Sequence, residues 1–90
     1  MTVKTIKRLF TELEKATEKS DKALELWEKD LENETLETAY DESYKVEIDI
    51  FKKLVAALVK IGGGQIDEMT ARKMIITERE ALKTLLDLAA

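Results

Sequence analysis

Residues 44–61 read YKVEIDIFKKLVAALVKI, and the fold class turns on the first eight of them. Tyr44 to Phe51 alternates apolar and charged side chains, the period of a half-buried strand. A lone strand has nothing to pair with, and no second alternating run exists in the chain. On a helix the same region forms two adjoining stripes. Tyr44, Ile48, Phe51, Val55 and Leu58 make one; Val46, Ile50, Leu54, Ala57 and Ile61 make the other. So wide an apolar arc marks a central helix with two neighbours. The spacing predicts a helix from about 34 to 61.

Upstream, Val3, Ile6, Phe10, Leu13, Leu24, Trp27 and Leu31 fall on one three–four ladder, with Thr17 and Ser20 on its middle rungs. That is the seam of a helix packed lengthwise on other helices. It predicts a helix from about 2 to 32, with Thr2 as N-cap. Its weakest point is Thr17–Ser20, where Asp21 could begin a new helix. The first break is expected near Asn33, which suits both capping and left-handed geometry. Trp27 belongs to the seam, as a core residue at the bundle's end with its indole N–H near water.

Downstream, Gly62, Gly63 and Gly64 end the second helix, since glycine accepts the left-handed conformation of a C-cap. The triplet is not a phosphate loop, because no strand precedes it and no Gly-Lys-Ser/Thr follows. A third helix is predicted from about 67 to 88, with Asp67 as N-cap. Ala71, Met74, Ile75, Ala81, Leu82, Leu85, Leu86 and Ala89 form its inward face. Short connections make consecutive helices antiparallel neighbours. The expected fold is all-α, an antiparallel up-down three-helix bundle forming one domain over residues 1–90.

Composition limits the function classes. The chain has 90 residues with no His, Cys or Pro, and is 44% apolar and 38% charged. That is the balance of an ordered globular protein. Without cysteine there is neither a disulfide nor a thiolate metal site, which fits a cytoplasmic setting. The opening MTVKTIKRLF lacks an unbroken apolar segment and does not read as a secretory signal. The longest apolar run, Leu54 to Val59, is far too short to span a membrane.

Two glutamates sit on apolar faces. Antiparallel pairing of helices one and two, in which paired residue numbers add to 67, sets Glu47 level with Ser20. The corresponding pairing across the glycine loop brings Glu78 about one turn from Glu47. Thr17, Ser20, Glu47, Glu78 and Arg79 would then form one polar layer at mid-bundle. Such a layer fixes helix register at a cost in stability. The alternative is that the two carboxylates bind Mg²⁺ or exchange protons in a hydrolase. Di-metal bundles draw on four carboxylates with His, and this chain has no His. The all-α nucleotide pyrophosphohydrolases carry paired glutamates followed by Glu-x-x-Asp. Here Glu25-x-x-Glu28 and Glu34-x-x-Glu37 have no such successor, so that pattern is incomplete. No catalytic residue, cofactor or metal site is assigned.

The charges are uneven. Residues 1–15 and 52–73 hold nine basic and four acidic side chains, 9 − 4 = +5. Residues 28–49 hold two and nine, 2 − 9 = −7. The basic end also carries apolar residues beyond what a core needs: Val59, Ile66, Met69 and Ile76, among Lys60, Arg72 and Lys73. Surplus apolar residues ringed by charge suggest a contact surface for a protein partner with an acidic face. The expected function is therefore a small helical interaction module, an adaptor, inhibitor or regulator, with a homodimer as one form. Nucleic-acid binding through the basic end is the third class, opposed by a net charge of −4 and by the absence of stacking aromatics there. The acidic end could also mimic nucleic acid.

Overall fold

A computed structural model describes residues 3–89, and among them every element is a helix: α1 (Val3–Glu28), α2 (Glu34–Ile61), α3 (Glu68–Thr77) and α4 (Arg79–Ala89). Tyr44 to Phe51 lies wholly within α2. The expected N-cap Thr2 and the surroundings of Ala89 fall outside the described residues.

Three boundaries follow local chemistry. α1 stops at Glu28, four residues before the expected end, and Leu31 is exposed rather than on the seam. Glu28, Asp30 and Glu32 would oppose the negative end of the helix dipole. Tight turns take over, with Asp30 N–H donating to the Trp27 carbonyl at 2.9 Å and Asn33 N–H to the Asp30 carbonyl at 3.0 Å. Asn33 then caps α2: its Oδ1 accepts from the N–H groups of Thr35 at 3.0 Å and Leu36 at 3.2 Å. α1 is unbroken through Thr17–Ser20. α2 ends at Ile61, followed by Gly63 and Gly64 at φ +58° and +94°.

The expected third helix is two helices. Glu78 leaves helical geometry at φ −122°, ψ 29°, so the described chain has four helices and not three. The cause is local. Ile75, Ile76 and Thr77 are three successive β-branched residues, which crowd the preceding turn. Thr77 Oγ1 also donates to the Lys73 carbonyl at 2.8 Å, a back-bond that bends helices. Beyond the break only Leu82 and Leu86 of the expected inward face are buried; Ala81 and Leu85 are exposed.

The chain forms two compact units, one from Met1–Phe10 with Lys52–Ala90, the other from Thr11–Phe51. Unit one buries Ile6, Leu9 and Phe10 of α1, Leu54, Val55, Ala57 and Leu58 of α2, Ala71 and Ile75 of α3, and Leu82 and Leu86 of α4. At its surface Lys7 Nζ lies 3.2 Å from Asp87 Oδ1. Unit two is an antiparallel hairpin of α1 and α2. It buries only Leu13, Ala16 and Ser20. Within this unit α2 has a single neighbour, and one residue of each stripe is exposed, Tyr44 of the first and Val46 of the second.

Candidate functional site

The polar residues of unit two converge as the antiparallel register requires. Ser20 pairs with Glu47 and Trp27 with Tyr40, and each pair adds to 67. Glu47 accepts through both carboxylate oxygens, from Thr17 Oγ1 at 3.0 Å and from Ser20 Oγ at 2.5 Å. Ser20 Oγ also stands 3.1 Å from the Thr17 carbonyl, but a hydroxyl has one proton. The shorter, charge-assisted bond to Glu47 is the stronger use of it.

The other two residues expected in the layer, Glu78 and Arg79, have partners of their own. Glu78 is an exposed residue at the α3–α4 break, where its N–H donates to the Met74 carbonyl at 3.1 Å. Arg79 donates from Nε to the Ile75 carbonyl at 3.3 Å and holds its guanidinium 5.8 Å from the Phe10 ring centroid. Both belong to unit one, whereas the contacts among Thr17, Ser20 and Glu47 lie within unit two. The β-branched run before Glu78 was the signal that its helix face would not continue. Among the described residues no group of three or more carboxylate, His or Cys side chains could hold a metal ion. Glu47 thus joins α2 to two hydroxyl groups of α1.

At the far end of the hairpin, Trp27 stacks on Tyr40 with centroids 5.7 Å apart and planes at 23°; Tyr40 and Tyr44 are 5.9 Å apart. The indole Nε1 is buried without a hydrogen-bond partner, in place of the wet N–H expected there.

The expected contact residues divide by exposure. Met69 is 77% and Ile76 66% exposed. With Arg72 and Lys73 they occupy positions i, i+3, i+4 and i+7 of α3, one continuous helix face. Arg72 forms a surface ion pair with Glu68 at 2.8 Å. Val59 and Ile66 are half-buried. Val59 and Lys60 line an open groove of about 380 Å³ with Lys52, Val55, Ala56 and Glu68. Ile66 is drawn inward onto the glycine loop, where a Cβ on Gly62 would come within 2.8 Å of its side chain.

Asp67 prepares α3. Its Oδ1 accepts from the Thr70 N–H at 2.7 Å, and its backbone is extended at φ −87°, ψ 175°. Hydrogen bonds from the Thr70 side chain and backbone hold its carboxyl below the ordinary carboxylate value.

Unit one carries ten Lys and Arg against five Asp and Glu, 10 − 5 = +5; unit two carries five against fourteen, 5 − 14 = −9. The charge segregation read along the sequence thus coincides with the two units. No helix among the described residues is long and apolar enough to cross a membrane. Comparison with known protein families, with characterised proteins and with solved structures finds no match to this chain.

Proposed function

We propose that this protein acts by binding another protein, as a small cytoplasmic adaptor, inhibitor or regulator, and that unit one carries the contact surface. The observation behind this reading is the outer face of α3, where exposed Met69 and Ile76 flank Arg72 and Lys73. Apolar anchors among cations have the composition of an interface whose partner is acidic. Methionine adds adaptability, because its unbranched thioether fits irregular surfaces. Val59, Lys60 and Ile66 form the inner margin of the surface.

The test is retention of host proteins on immobilised wild type against Met69→Glu/Ile76→Glu. Loss of specific acidic partners in the double variant, with an unchanged circular dichroism spectrum, supports the reading. Identical retention by both proteins rejects it.

A further inference from the structure

We propose that the partner of the α3 face is a second copy of this chain, with the basic unit one of each copy covering the acidic unit two of the other. This rests on the reading of the α3 face as a contact surface and names its occupant.

Both halves of a complementary pair are present on one chain. Unit one has a net charge of +5 and unit two −9. Each also exposes large apolar side chains: Met69 and Ile76 on unit one, Tyr44 and Val46 on unit two. On α2, Val46 is flanked by Glu42 and Asp49 at positions i−4 and i+3, so an apolar anchor sits between two acids. That arrangement mirrors α3, where apolar anchors enclose two cations. Beside Val46 lies an open groove of about 320 Å³ lined by Ala16, Lys19, Ala39, Glu42 and Ser43, with room for an unbranched side chain such as Met69. Each copy supplies one basic and one acidic surface, and a pair in which both are engaged makes the same contact twice. Like-charged alignments, basic on basic or acidic on acidic, are repelled, which selects the crossed pairing.

Sedimentation equilibrium of the full chain tests this, at concentrations up to about 1 mM, the weak end of specific association. The wild type is expected at twice the 10.3 kDa chain mass, falling toward 10.3 kDa in high salt. Arg72→Glu/Lys73→Glu reverses the two cations on the α3 face and takes unit one from +5 to +1, and Glu42→Lys/Asp49→Lys reverses the two acids beside Val46 and takes unit two from −9 to −5. Either variant alone is expected to raise the dissociation constant at least about 10-fold. An equimolar mixture of the two should recover the double mass, because one contact then pairs the two reversed faces and the other pairs the two unaltered ones, with opposite charges opposed in both. All four positions are exposed, and circular dichroism confirms that each variant is folded. A wild type that stays at 10.3 kDa throughout overturns the proposal without recourse to any variant, and leaves the retention experiment to judge the contact surface by itself. A wild-type dimer indifferent to both reversals, or variants that fail to recover on mixing, also overturns it.

Discussion

Ser20 and Glu47 join the two helices of the hairpin: Ser20 Oγ lies 2.5 Å from Glu47 Oε2, with Thr17 Oγ1 3.0 Å from the other oxygen. Ser20 is almost fully buried. Ser20→Ala removes a charge-assisted bond and leaves Glu47 with one hydroxyl partner. It should lower stability by about 1–2 kcal/mol in urea denaturation. Glu47→Gln should retain the fold. Glu47→Leu should be neutral or stabilising, because an apolar residue of similar volume replaces a partly buried ion without its desolvation cost. A loss above about 3 kcal/mol for Glu47→Leu would show that the carboxylate stabilises more than register.

The glycine loop separates two kinds of constraint. Gly64 has open space around it but a φ of +94°. Gly64→Ala should therefore cost about 1 kcal/mol through backbone strain alone. Gly62 has a permitted φ but no room, because a methyl group there would sit 2.8 Å from side-chain atoms of Ile66. Gly62→Ala should cost more than Gly64→Ala, and Ile66→Ala in the same chain should restore part of the loss. Thermal melts of the single and double variants measure that coupling.

Asp67 gives α3 a pH dependence. Hydrogen bonds from the Thr70 side chain and then its backbone lower the folded-state carboxyl from 3.8. A depressed folded pKa means stability that is present above the unfolded value and lost as pH falls through the folded one. Asp67→Asn can still cap the helix but cannot titrate. The melting temperature of the wild type relative to Asp67→Asn should thus be steady near neutrality and decline as the solution is acidified below about pH 4.

Trp27 combines a favourable stack with an unsatisfied donor. Trp27→Phe keeps an aromatic face against Tyr40 and removes the buried, unpartnered Nε1. The loss of ring area and the relief of the orphan N–H oppose each other, so stability should change by less than about 1.5 kcal/mol. Trp27→Ala, which removes the stack as well, should cost about 3 kcal/mol. Equal losses for both variants would mean that the indole nitrogen finds a partner in solution.

Met69 and Ile76 stand outside the core of unit one. Met69→Glu and Ile76→Glu should each shift stability by no more than about 0.5 kcal/mol, the range for exposed positions. Destabilisation by several kcal/mol would place these side chains in the core and remove the contact surface on α3.

The helical class, the span of α2 and the register of the hairpin were legible in the sequence, because each depends on local periodicity. Apolar spacing placed Tyr44 to Phe51 on a helix, and the short Asn33 connection set Ser20 against Glu47 and Trp27 against Tyr40. The capping roles of Asn33 and Asp67 are likewise chemistry within one turn. Other features depended on tertiary structure. A helical wheel carries one phase through residues 67–88, but the bend at Glu78 ends that phase and leaves Leu85 exposed. The wheel also counts apolar residues without knowing what covers them, so it could not tell that Tyr44 and Val46 would remain exposed while Ile66 turned onto Gly62. Periodicity determines which side of a helix is apolar; only the packing of distant segments decides how much of that side is removed from water.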